Sequence, residues 1–321
     1  MLRRTLLGSL LAAPALAPAL AQEAWPSRTI RLVVAFAAGG AADTAARTVG
    51  QKLAEILGQS VVIENRTGGN AVVAQGATMQ APKDGYTFLV DAANQLTNTP
   101  LMKEPPFDYR RDFIPVSQFC DFPQVIGVKQ DFPAQTIEEF VAYLRANPGK
   151  VSYGTPPAAG MAHLAGEEFQ RRLGVRMVHT PYRGGADAAR DITAGVVDAV
   201  LITTNSIRAP VQAGRARILA VTSAQRVPTL PTVPTLAETV LPGYEMNDWN
   251  GVFAANGVPA EIIQRMAAAV GQACRDAGVR QRMDAAGAIM VGSTPQEFAA
   301  WLERQRGPVE EVIRAAGITL G

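Results

Sequence analysis

Apolar and polar positions along the chain follow two alternating rhythms. Short β-branched runs at 30–36 and 61–64 enclose a segment in which Ala46, Val49, Leu53, Ile56 and Leu57 recur at intervals of three and four. That spacing puts the apolar side chains on one helix face, whereas a short β-branched run suits a buried strand. The pattern predicts a β-α-β unit. The turn "NRTGGN" follows, then a helix over 71–81 and a strand within "DGYTFLVDAA", opened by an Asp-Gly turn. Further strands are predicted near 114–119, 124–128, 151–153, 175–178, 198–202, 216–222 and 249–254. Helices are predicted near 136–147, 161–173, 185–194, 259–277 and 294–315. The proline-rich stretch 228–243 reads as a loop with a short helix. Alternation of this kind predicts an α/β fold of mostly parallel sheets flanked by helices.

The first 21 residues break the rhythm. They carry Arg3 and Arg4, a short apolar stretch interrupted by Pro14 and Pro18, and a small-x-small end at Ala19-Leu20-Ala21. This is the grammar of an export signal cleaved before Gln22, and the stretch is too short and too broken for a membrane span. The remaining chain, about 300 residues, suits two domains or one large one. Without Arg3 and Arg4 the 30 basic residues become 28, against 28 acidic ones. With no net charge and no polybasic run, nothing points to nucleic acid. Cys120 and Cys274 lie far apart and lack metal-ligand spacing, so two free, buried thiols are expected, with pairing the alternative.

The candidate chemistry sits in glycine turns. In "VVAFAAGGAADTAAR" an apolar run stops at Gly39-Gly40, and a helical segment follows. The first N–H groups of a helix have no intrahelical partner, and the dipole makes that end positive. Glycines without side chains let an anion approach such a site closely, with no lysine required. Asp43 then admits two readings: it caps the helix, or it accepts a hydrogen bond from water or an ammonium on a ligand. Arg47, one turn on, is placed to pair with it. A second turn, Gly184-Gly185 in "TPYRGGADAARDI", repeats the arrangement behind Tyr182 and Arg183. Thr203, Asn205 and Ser206 follow a strand, where open sheets meet their ligands; Ser206 alternatively caps the next helix.

The blocks "VVAFAAGGAADTAAR", "VVIENRTGG", "APKDGYTFLV", "YGTP…HLAGEEF", "TPYRGG", "LAVTSAQRVPTLPTVPTLAE" and "PGYEMNDWNGVFA" stand in an order that resembles the substrate-binding proteins of tripartite tricarboxylate transporters, the Bug family. The resemblance runs from about Trp25 to about Gly317. It implies a periplasmic, two-lobed, type II-like binding protein with its ligand between the lobes. It assigns 22–123 and 221–321 to lobe 1 and 124–220 to lobe 2, joined by crossing strands near 119–128 and 216–224. It implies a small organic carboxylate as ligand, membrane subunits of a tripartite transporter as partners, a monomer, and no cofactor or metal. The ligand residues it implies are Phe36, Ala38, Gly39, Gly40, Asp43, Tyr153, Thr155, Tyr182, Arg183, Gly184, Gly185, Thr203 and Asn205. Asn65 and Arg66 are expected to be structural, His163 a buried hydrogen-bonded histidine, and Trp249 wall or core.

The chain departs from the family pattern at Ala35 and Ala42, near Leu201, and after "NRT". Pro157, Ala158, Ala159 and Met161 replace small polar residues. That change favours an apolar or aromatic acid over citrate. Two other functions compete. A sensor's binding lobes would use the same ligand physics. A secreted α/β hydrolase would need a nucleophile with a base or a metal cluster. The chain has only His163 and His179, no Gly-x-Ser-x-Gly and no His-Glu-x-x-His, so a binding protein is expected and not an enzyme.

Overall fold

The computed structural model describes residues 25–156 and 159–319. The expected export signal, its cleavage after Ala21, and Pro157 and Ala158 lie outside them. The chain runs β1 (Ile30–Val34), α1 (Ala41–Leu57), β2 (Val61–Asn65), α2 (Val72–Gln80), β3 (Thr87–Asp91), α3 (Asn94–Leu101) and β4 (Phe113–Phe122). It continues through β5 (Gln124–Lys129), α4 (Ile137–Ala146), β6 (Ser152–Thr155), α5 (Met161–Leu173), β7 (Val178–Pro181), α6 (Gly185–Thr193), β8 (Ala199–Thr203), α7 (Thr204–Gln212) and β9 (Ala216–Val221). It ends with β10 (Asp248–Ala255), α8 (Ala260–Arg275), α9 (Ala277–Ala285), β11 (Ile289–Met290) and α10 (Pro295–Ala316).

The strands form two sheets, ordered β11-β4-β10-β3-β1-β2 and β7-β6-β8-β5-β9. The expectation of mostly parallel sheets is corrected: four strand pairs are parallel and five antiparallel. The β-α-β units supply the parallel pairs, because parallel neighbours need a crossover. The antiparallel pairs arise where the chain passes from one sheet to the other. β4 ends at Phe122 and β5 begins at Gln124; the return passes from Val221 to Asp248.

These passages fix how the sheets face each other. Asp248 pairs with Phe122, and Gly251 with Asp91, so the first crossing lies at the edge where β1, β2 and β3 end. Gln124 pairs with Thr203 and Val125 with Val221, so it also lies where β6, β7 and β8 end. Both sheets therefore turn the C-terminal ends of their parallel strands toward the same place, the position at which open sheets bind ligands. Thr222 joins the two passages. Its hydroxyl takes the Gln124 N–H at 3.0 Å and donates to Asn247 Oδ1 at 2.9 Å.

Each sheet is covered by apolar helix faces. Val49 and Leu53 of α1 and Met266 and Val270 of α8 pack on one face of the larger sheet, with Cys120 and Cys274 buried and free among them. Trp249 is fully buried against Phe298 and Trp301. The long helix α10 opens with a complete capping box between Thr294 and Glu297.

Several elements differ from the sequence pattern. The helix expected over 259–277 breaks at Asp276, which is extended and caps α9 by accepting the Val279 N–H at 3.0 Å. The strand expected at 175–178 starts only at Val178, because the Val175 N–H bonds the Gln170 carbonyl and the Met177 N–H bonds Gln170 Oε1. α3, α7 and α9 were not anticipated as separate helices. α3 and α7 contain Pro100 and Pro210, which obscure a helical pattern. The 228–243 stretch forms turns without the short helix.

Candidate functional site

In the larger sheet the site begins at the β1–α1 connection. Phe36 is half-buried, while Ala38, Gly39 and Gly40 are exposed. Gly39 has φ +79°, the left-handed region that favours glycine. The Asp43 side chain, only 4 % exposed, reaches back across the turn. It accepts the Gly39 N–H at 2.8 Å, Arg47 Nε at 2.9 Å and Asn65 Nδ2 at 2.8 Å. Burial opposes ionisation of Asp43, but these donors outweigh it and hold its carboxyl below the usual range. Asp43 thus braces the turn, and it is not the N-cap of α1. The N-cap position belongs to Gly40, which has no side chain to cap with. Asn65 is structural as expected, also donating to the Phe36 carbonyl at 3.0 Å.

The expected donors are corrected accordingly. The Gly39 N–H is used by Asp43, and the Gly40 N–H lies 3.2 Å from the Ala37 carbonyl. The N–H groups of Ala41, Ala42 and Asp43 in the first turn of α1 have no acceptor among the described residues. The unused N–H groups of this turn thus begin at Ala41, after the two glycines. The signal it lacked was a carboxylate four residues beyond Gly39, spaced to close the turn.

In the smaller sheet three connections meet. The Tyr182 ring lies over Gly154: a Cβ there would stand 2.7 Å from Tyr182 Cε2. A Cβ on Gly185 would stand 2.4 Å from Ser206 Oγ, so this glycine lets α6 start directly against α7. The first-turn N–H groups of α6, on Gly185, Ala186 and Asp187, have no acceptor among the described residues. Gly184 caps α6 in an extended conformation, and Arg183 is exposed beside it with no ion pair among the described residues. Burial and the Asp191 carboxylate push the Tyr182 hydroxyl up to about 12, so it remains a proton donor at neutral pH.

Thr203 caps α7, accepting the Ser206 N–H at 3.4 Å and sharing a 2.9 Å bond with Ser206 Oγ. The capping expected of Ser206 thus belongs to Thr203. Asn205 is exposed at the same helix start, next to Gly287 of the larger sheet's side.

Two expected ligand side chains point elsewhere. Tyr153 is buried beneath α5, where Gly166 makes room for its ring, and its hydroxyl donates to Glu167 at 2.8 Å. Thr155 is fully buried; its hydroxyl donates to the Pro156 carbonyl at 2.7 Å and lies 2.8 Å from His179 Nε2. Alternation along β6 puts neighbours on opposite faces, and the sequence does not say which face is covered. His163 is mostly buried and hydrogen-bonded, as expected.

Gln124 was missed. It faces Thr203 across the β5–β8 pair, so both side chains share one sheet face. It is 2 % exposed, and its Oε1 has no partner among the described residues. Its position beside a proline gave no hint of this. No group of three or more His, Cys, Asp or Glu suited to a metal occurs among the described residues. No described helix is long and apolar enough to cross a membrane.

Comparison with known proteins places this geometry among relatives. Residues 45–318 match the family described as "Tripartite tricarboxylate transporter family receptor". A protein of Pseudomonas sp. strain P51, encoded in the tcbD-tcbE intergenic region, is 36% identical over 278 residues, covering 86% of this chain and 83% of its own. An R. palustris protein solved with adipate superposes with a TM-score of 0.76 at 32% identity, covering 92% of this chain and 99% of its own. MatC from Rhodopseudomonas palustris, solved with bound malate, gives 0.72 at 27%, covering 90% and 100%.

Proposed function

The chain belongs to the tripartite tricarboxylate transporter receptor family, and we propose that it captures a small organic carboxylate between its two sheets and passes it to membrane subunits of such a transporter. The observation that supports this is a pair of helix starts with unused N–H groups, Ala41 and Ala42 on α1 and Gly185 and Ala186 on α6, each following the C-terminal end of a parallel strand at the edge where the chain crosses between the sheets. Two N-termini facing one space suit a carboxylate at each end of a short chain. The relatives solved with adipate and malate carry dicarboxylates and support the same class here.

Residues 124–220 act as the lobe that moves against the rest, with Phe122–Gln124 and Thr222 at the hinge. Closure on the acid excludes water and strengthens each N–H contact. The export signal read in the first 21 residues supports a periplasmic site of capture, with a monomer as the working unit. Chemical conversion of the acid is not part of the proposal.

Ligand contacts assigned on this basis are the backbone around Phe36, Ala38 and Gly40, the α1 start, Tyr182, Arg183, Gly184, Gly185, Thr203, Asn205 and Gln124. Two helix starts suit two carboxylates, so a third, as in citrate, has only side-chain donors to rely on, and a buried one left unpaired costs about 1–3 kcal/mol or more. The test is calorimetric titration with adipate, L-malate, benzoate and citrate. Binding of a mono- or dicarboxylate more tightly than citrate is expected. Tightest binding of citrate, or no binding of any acid, would overturn the proposal.

A further inference from the structure

His163 and His179, the chain's two histidines, stack face to face with ring centroids 3.9 Å apart and planes 8° from parallel. One comes from α5 and the other from β7, and each holds one end of the β6–α5 connection. At the near end the Thr155 hydroxyl has a single proton, which it donates to Pro156. The same oxygen lies 2.8 Å from His179 Nε2, a bond whose direction follows the histidine tautomer. At the far end the Ala159 N–H donates to His163 Nδ1 at 3.1 Å. A nitrogen that accepts cannot carry a proton, so the proton of neutral His163 sits on Nε2, 3.6 Å from Glu167 Oε1. Ala159 has φ +63°, a conformation that a non-glycine residue adopts only where its surroundings hold it.

We propose that His163 is a positioning residue for the ligand: its bare Nδ1 fixes Ala159 and with it the start of α5 at the cleft, and a proton arriving on Nδ1 releases them. This rests on the reading that the facing sheet edges take the acid. The step balances simply, since the added proton occupies the lone pair that the Ala159 N–H used, leaving two donors opposed.

The surroundings admit one such proton. Parallel rings in contact do not hold two positive charges, and burial together with the His163 ring pushes His179 down to about 4. Glu167, on the same helix as His163, attracts the charge; contact with His163 holds its carboxyl below the usual range against the effect of burial. Tyr153 of β6 stacks on His179 with centroids 5.0 Å apart and donates to Glu167. Arg171 and Arg176 line, with Glu167, a cavity of about 490 Å³.

The experiment uses the ¹⁵N-labelled full chain, with adipate as probe, from pH 8 to pH 5. We expect the imidazole ¹⁵N shifts at pH 8 to report an unprotonated Nδ1 on His163. On acidification the Ala159 amide should lose at least tenfold in exchange protection, and adipate affinity should fall in step. In His163→Asn the amide oxygen takes the place of Nδ1 but cannot titrate, so both quantities should stay flat with pH. In His163→Leu both should already be low at pH 8. Unchanged Ala159 protection in His163→Leu, or the wild-type pH response in His163→Asn, would overturn the proposal. If adipate does not bind the wild-type chain at pH 8, that counts against this dicarboxylate and leaves the carboxylate reading to the other acids of the titration; the nitrogen shifts and amide exchange still decide whether His163 holds Ala159.

Discussion

Asp43 Oδ2 accepts the N–H of Gly39 at 2.8 Å, so the side chain of the first turn of α1 closes the loop that precedes it. Asp43→Ala would leave Arg47, Asn65 and the Gly39 N–H without their acceptor. We expect a loss of about 1–3 kcal/mol in urea denaturation. Because the folded carboxyl is held below its usual range, the stabilisation is full above the unfolded value and disappears as the pH falls through the lowered one. The difference between wild type and Asp43→Ala should therefore shrink only in strong acid. A difference that persists unchanged there would rule out the ionised brace.

Ala41→Pro isolates the donor role of the α1 start. Position 41 is the first helical residue and Gly40 before it is extended, with φ −75° and ψ 173°, so proline fits without harm to the helix. It removes one N–H from the proposed anion site. Stability should stay within about 0.5 kcal/mol of wild type, while affinity for the bound acid drops about tenfold or more. Equal affinity in the two proteins would move the carboxylate away from α1.

Gly185 and Ser206 should behave as a coupled pair. Gly185→Ala places a methyl 2.4 Å from Ser206 Oγ and 3.0 Å from its Cβ, so α6 and α7 must separate, at a cost of about 1–3 kcal/mol. Ser206→Gly removes both obstructing atoms. The double variant should recover most of the stability lost in Gly185→Ala, and thermal unfolding of all four proteins measures this coupling. Additive effects would show that the close approach of the two helices is not what excludes a side chain.

Asp121 lies beside the first crossing, and burial together with Glu245 raises its carboxyl to about 7, with Asp248 adding to the effect. The folded chain holds this proton more tightly than the unfolded chain. Its stabilising effect is therefore present at low pH and is lost as the pH rises toward about 7. Asp121→Asn keeps an oxygen for Gln118 and removes the charge. The variant should melt higher than wild type at pH 8, and the gap should close as the pH falls below 5. A gap independent of pH would contradict this.

Much of the architecture could be read from spacing alone. α5 keeps its expected bounds, because apolar periodicity is a local property. The pairing of strands is not local. Nothing within β3 says that its neighbours are β1 on one side and, running the other way, β10. The site was legible as a set of turns but not as a set of donors. Whether Gly39 or Ala41 faces a ligand depends on the rotamer of Asp43, and whether Tyr153 lines a cleft depends on which face of β6 is covered by α5. Gln124 became a candidate only through its register with Thr203.

The insertion of β5 to β9 between β4 and β10 also sets an order of assembly. Every strand of the smaller sheet lies between Gln124 and Val221, so that sheet can close once this stretch has emerged. The larger sheet cannot: β3 and β4 have no link between them until β10 arrives to pair with both. Contacts so distant in sequence close slowly, since the loop entropy is lost before they form. In refolding, amides of β5, β6 and β8 should gain exchange protection before those of β3 and β4. During synthesis, the half that carries Asp43 and α1 is the first to be made and the last to finish, and its exposed strand edges are what a chaperone would need to shield.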